Sequence, residues 1–160
     1  MIKFSSEHYD FMTFDPKRLD HVKAKCFLRT NIDVRLFLND TIDMFLVPDS
    51  GNSLTDSAFL VARDDKICGY IALFDYFKYL TMHYAVIPSY RGYKFSLNET
   101  TGCSILRESS YELFKMVPAI EFIKLDIDIN NIRSKKTAIN AGYNIYNQTN
   151  EMYELRKYRK

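Results

Sequence analysis

The residues best suited to chemistry cluster around one short stretch, "YAVIPSYRGYKFS", at positions 84 to 96. An apolar run stops at Pro88, and Arg91, Gly92, Lys94 and Ser96 follow. A fixed cation and pliable backbone just past a strand suit an anionic ligand, and they equally suit an exposed turn. His83 lies in the same run, and an unperturbed imidazole titrates near neutral pH, as a general base should. The other candidates are Tyr84, Tyr143 and Tyr146 as proton donors, and Cys103 as a thiol. Asp126 and Asp128 share the polar side of an alternating segment, a pattern that a solvated or ion-paired face explains as well.

Composition narrows the classes. The chain has 160 residues, 47% of them hydrophobic and 26% charged, and a formal charge of +2. That predicts one domain spanning 1–160 with a sizeable core. The charge is too small for a nucleic-acid footprint, and the basic tail "RKYRK" reads as a solvated terminus. No apolar run approaches the ~20 residues of a membrane span, and no signal-peptide pattern opens the sequence. Three cysteines without CxxC spacing predict reduced thiols in the cytoplasm.

The elements that must position these groups follow from periodicity. "EHYDFMTF" reads as a first strand. Asp15 and Pro16 read as N-cap and first helical residue, with Leu19, Val22 and Cys26 as the apolar face. A second helix is predicted over "NIDVRLFLNDTIDMFLV", with Leu38, Ile42 and Phe45 aligned. "AFLVARDDKICGYIALFDY" reads as a hairpin turning at Asp64-Asp65-Lys66, and "YLTMHYAVIP" as a strand with Leu80, Met82, Tyr84 and Val86 on one side. "GCSILRESSYELFK" reads as a helix with Cys103, Leu106, Ser110 and Leu113 inward, ended by Pro118. "EFIKLDIDI" alternates as a strand, "NNIRSKKTAINAG" is a helix closed by Gly142, and the rest is a hairpin. This order predicts an α/β (α+β) domain with a mixed, mostly antiparallel sheet of six or seven strands and four helices.

Three segments in this order resemble the GNAT superfamily of acyl-CoA N-acyltransferases, over about residues 57 to 147. "LVARDDKICGYIAL" is similar to that family's central hairpin. "VIPSYRG" is similar to the end of its fourth strand, and "IKLDIDINNIRSKKTAINAGY" to its fifth strand and following helix. The resemblance implies that strands four and five splay apart and that acetyl-CoA binds between them, with an amine as the acceptor and no metal. A monomer or homodimer is expected, a choice that no residue pattern here decides.

The resemblance also implies site residues. Arg91, Gly92 and the turn after them would cradle the pyrophosphate, with Lys94 adding a contact. The main chain of Tyr84, Ala85 and Val86 would hold the pantetheine amides, with Asn131 and Ser134 beside them; an Asn at a strand end is equally a common helix N-cap. The family places glycines where Lys94 and Ser96 stand, so an enlarged loop over 93–101 is expected, with Gly102 and Cys103 at the start of the next helix. A helix starting near Ser96 would bury Gly102 in its interior, which costs about 1 kcal/mol. The family's usual base and acid positions hold Leu80 and Ala138, so both proton handlers are missing. His83 and Tyr143 remain as catalytic candidates. The acceptor is expected on the opposite side of the splay, near Tyr143, Tyr146 and Tyr153.

Overall fold

A computed structural model describes residues 3–32, 34, 53–92 and 99–160. Eight strands form one sheet: β1 (Lys3–Ser5), β2 (Asp10–Met12), β3 (Ala58–Arg63), β4 (Lys66–Asp75), β5 (Tyr79–Val86), β6 (Phe122–Asp128), β7 (Asn144–Gln148) and β8 (Met152–Tyr158). Their order across the sheet is β1-β2-β3-β4-β5-β6-β8-β7. Only β5 and β6 run parallel among these neighbours. Three helices are described: α1 (Leu19–Thr30), α2 (Thr101–Met116) and α3 (Ile132–Asn140). Apart from Asn31, Ile32 and Val34, the predicted second helix, with Leu38, Ile42 and Phe45, lies outside the described residues.

The sheet has apolar packing on both faces. Leu80, Met82, Ile123, Leu125 and Ile127 share a core with Ile105, Leu106 and Leu113 of α2 and Ala138 of α3. Leu60, Tyr70, Ala72 and Ala85 point the other way and pack with Ala24 and Leu28 of α1. The period-2 alternation of β5 and β6 therefore divides their side chains between two layers. The β3–β4 turn is a tight one, with Asp64 and Asp65 at φ 49° and 59°. Aspartate tolerates that region, and such turns match the twist of the strands they join.

Two expectations need correction. The first strand is a hairpin, β1 paired with β2, so the sheet has eight strands rather than six or seven. In α1 the buried residues are His21, Ala24 and Leu28, whereas Leu19 is 66% exposed and Cys26 is exposed. The reason is a turn ahead of the helix. Asp15 Oδ1 accepts from the Lys17 N–H at 2.9 Å, and the Asp15 carbonyl from the Arg18 N–H at 3.1 Å. The helix starts three residues past Pro16, and each residue of delay turns the inward face by about 100°.

One buried carboxylate ties the first hairpin down. Glu108 of α2 accepts from Ser6 Oγ at 2.6 Å and the His8 N–H at 3.0 Å, and sits 2.8 Å from His8 Nδ1. Glu108→Ala leaves these donors unpaired. It should lower the unfolding free energy by about 3 kcal/mol in urea titration.

Candidate functional site

β5 and β6 pair only at Tyr79–Phe122, Leu80–Ile123 and Thr81–Lys124. Beyond Thr81 the ladder stops, although both strands continue and stay paired to their outer neighbours, β4 and β8. The separation expected near Val86 is therefore present. The Ile87 N–H bonds the Cys68 carbonyl at 2.9 Å, and the Tyr76 N–H the Tyr79 carbonyl at 3.0 Å. Antiparallel alternation then directs the main chain of residues 79, 81, 83 and 85 toward β4, and that of 82, 84 and 86 toward the gap. Tyr84 and Val86 thus present amides to the opening. Ala85 does not: its main chain faces Tyr70, and it contributes only its side chain.

A cleft of about 570 Å³ occupies this opening. Tyr84, Ala85, Val86, Arg91, Gly92, Gly102, Asn131 and Ser134 all line it, with Val34, Thr100, Arg133 and Thr137. Two helices start at its edge. Thr100 caps α2, its Oγ1 accepting from the Cys103 N–H at 3.5 Å, and Asn131 caps α3, its Oδ1 accepting from the Ser134 N–H at 3.2 Å. Each helix N-terminus carries about half a positive charge from its unpaired N–H groups. Arg91 Nε donates to the Val86 carbonyl at 3.1 Å, which holds its guanidinium at the strand end. Two dipole ends and two arginines face one opening, an arrangement suited to a polyanion.

The two glycines are required for different reasons. At Gly92 an added Cβ would meet nothing within 4 Å among the described residues, which leaves the space beside its backbone open. Its φ of 70° is what requires glycine. At Gly102 space decides: a Cβ would lie 3.1 Å from Thr137 Cγ2 and 3.2 Å from Val86 Cγ2. Gly102 sits in the first turn of α2, because the helix begins at Thr101 and not near Ser96. Lys94 and most of the loop 93–101 lie outside the described residues.

Cys103, His83, Tyr143, Tyr146 and Tyr153 stand away from the cleft. Cys103 starts α2 as expected but does not line the opening; its Sγ donates to Glu99 Oε1 at 3.4 Å. Burial and the neighbouring Glu99 push this thiol up to about 11, against the lowering a helix N-terminus provides. Tyr143 is 1% exposed, bonded to Ser110 Oγ at 2.7 Å, and burial raises its pKa. That makes it a core residue, neither acid nor acceptor wall. Tyr153 is buried in the same layer, and only Tyr146 is exposed, with the Arg156 guanidinium 3.3 Å from its ring centroid. Leu80 and Ala138 are fully buried.

His83 points to the opposite face, its ring 4.9 Å from Phe74. Its Nδ1 and His21 Nε2 are buried without a partner among the described residues. Burial lowers both pKa values, with Asp126 opposing and Lys124 reinforcing the shift at His83, and Arg18 reinforcing it at His21. Folding therefore favours the neutral rings. Protonation of the unfolded chain below about pH 6.5 should then cost stability, visible as a Tm that falls between pH 7 and 5. His83→Gln and His21→Gln should flatten that fall.

Arg133, Thr100 and Thr137 were missed by sequence reasoning. Arg133 had a readable signal: a cation in the first turn of a helix opposes the dipole, which an anion at that site would offset. Thr100 and Thr137 needed the packing of α2 against α3.

No family profile matches this chain, and no curated protein matches its sequence. Solved structures do match its shape. A GNAT-family acetyltransferase from Bacillus anthracis superposes with a TM-score of 0.69 at 13% identity, covering 97% of this chain and 95% of that one. Campylobacter jejuni N-acetyltransferase PseH in complex with acetyl coenzyme A gives 0.65 at 13%, covering 95% and 99%. Ribosomal-protein-S5-alanine acetyltransferase from Vibrio fischeri gives 0.67 at 14%, covering 99% and 97%. The chain has the GNAT fold.

Proposed function

We propose that this protein is an acetyl-CoA-dependent N-acetyltransferase, moving the acetyl group to a primary amine of a small molecule, peptide or protein. The carrying observation is the parallel pair that opens past Thr81 beneath two helix N-termini, with Arg91 and Arg133 at the opening. CoA combines a diphosphate with an arm of amides. The diphosphate suits the helix ends and arginines, and the arm can extend along the free edge of β5 as an added strand. PseH, of the same fold, was solved with acetyl coenzyme A.

The chemistry follows from that placement. The Tyr84 and Val86 N–H groups bond the arm and polarise the thioester carbonyl as negative charge develops on its oxygen. Alignment of amine and thioester supplies much of the remaining rate. No carboxylate or imidazole lines the described cleft, so the amine must arrive neutral or lose its proton to water. His83, the imidazole expected as base, stands on the other face of β5 and does not line this cleft, so water is the proton's acceptor here. The protein works in the cytoplasm as a monomer or homodimer, without metal, nucleic acid or membrane.

Calorimetry with acetyl-CoA, then thiol release with a polyamine, an aminoglycoside and an N-terminal peptide, tests the reading. Binding with thiol release is expected; no heat of binding and an unchanged Tm in excess CoA would overturn it. Buried Leu80 and Ala138 favour one second reading, a CoA-binding module with little turnover. Tight binding with no thiol release across the amines selects it.

A further inference from the structure

Tyr84 leaves β5 on the side of α2 and α3 and carries its hydroxyl across the cleft. There it meets Ser134 Oγ at 2.7 Å and the Ser134 carbonyl at 3.3 Å. Both residues line the cleft, on opposite walls. The Ser134 carbonyl sits in α3, where helical bonding already engages it. With the hydroxyls of Ser134 and Thr137 as donors, the Tyr84 oxygen is held from the α3 side and its own proton can turn into the opening.

The position along β5 matters. From Val86 to the closed pair at Thr81 the open edge runs about 17 Å, at about 3.4 Å per residue. An arm entering beside Val86 passes Tyr84 before the gap closes, so its reactive end lies along this stretch. A side chain on residue 138 would lean back over the turn at 134. Ala138 offers only a buried methyl, and Tyr84 brings a hydroxyl to the same turn from the facing strand. No other tyrosine lines the described cleft.

We infer that the Tyr84 hydroxyl, oriented by Ser134, donates a hydrogen bond to the thioester sulfur as it departs. This rests on the cofactor reading given above. In the step, the amine lone pair forms the new N–C bond and the nitrogen proton goes to solvent. The C–S electron pair leaves on sulfur, so CoA departs as a thiolate. Tyr84 keeps its proton throughout and stabilises that charge. Burial pushes the phenol up to about 12, so it remains a donor across the neutral range. Ser134 is a positioning residue.

The test needs no acceptor. Ionisation of the CoA thiol, read by thiolate absorbance against pH and corrected for the protein alone, is compared for wild type, Tyr84→Phe, Ser134→Ala and Ser134→Thr. With Tyr84→Phe the bound thiol should titrate roughly 1–2 pH units higher, because a hydrogen bond to a charged group is lost. Acetyl-CoA affinity should change by less than about threefold, since the ring remains. Ser134→Ala should give a smaller shift in the same direction, and Ser134→Thr should restore the wild-type value. An unmoved titration in Tyr84→Phe overturns the inference, as does a large loss of affinity with the titration unmoved, which would make Tyr84 a wall. If wild type binds no CoA, the cofactor reading itself fails, a result distinct from either.

Discussion

Gly102→Val should weaken CoA binding by at least ~100-fold, about 3 kcal/mol, in calorimetry. The first atom of any side chain there comes within 3.2 Å of Thr137 on α3 and Val86 on β5. Those two residues are opposite walls of the cleft. A valine adds two methyls beyond that atom, so α2 must move off the sheet or the walls must part. Either shift displaces the N-terminus of α2 from the phosphates it is proposed to hold, and dipole interactions fade within a turn. Overpacking should cost about 1–3 kcal/mol of stability as well, so a Tm is measured beside the affinity. Gly102→Ala should be milder, because Thr137 and Val86 need give only a few tenths of an ångström. A valine variant with wild-type affinity would place the ligand elsewhere.

Arg91→Glu should weaken binding by about 10²–10³-fold at low salt. The substitution removes one attraction to the diphosphate and adds one repulsion beside it. It also takes away the Nε donor that meets the Val86 carbonyl at 3.1 Å, at the strand end where the arm would enter. Arg91→Lys should fall between, since it keeps the charge but lacks the planar fork. Wild-type affinity should drop as ionic strength rises, and the glutamate variant should show a flatter or inverted dependence. Equal salt dependence in both would mean that Arg91 only braces the strand end.

Local chemistry was the legible part of the site. Pro88, Arg91 and Gly92 marked the strand end, and Asn131 marked the start of α3 by ordinary capping preference. The first turn of α2 was legible too, because a mid-helix glycine at 102 is costly. The inward face of α1 was not. Its register depended on how Asp15 spends its hydrogen bonds, and on a buried His21 whose Nδ1 accepts from the Asp15 N–H at 3.1 Å. Hydrophobic spacing alone does not register a buried polar ring.

The alternation of β5 and β6, the Asp64-Asp65 turn and the Asn131 cap were determined by the sequence itself, because each depends on residues within a few positions of one another. Only the tertiary structure decided where β5 and β6 part company, that Tyr143 is sealed against Ser110, and that Tyr84 reaches Ser134. Those contacts join segments brought together by packing and, in the case of Tyr84 and Ser134, 50 residues apart. A side chain's neighbours across such distances are set by how helices seat on a sheet, which no local pattern of residue types encodes.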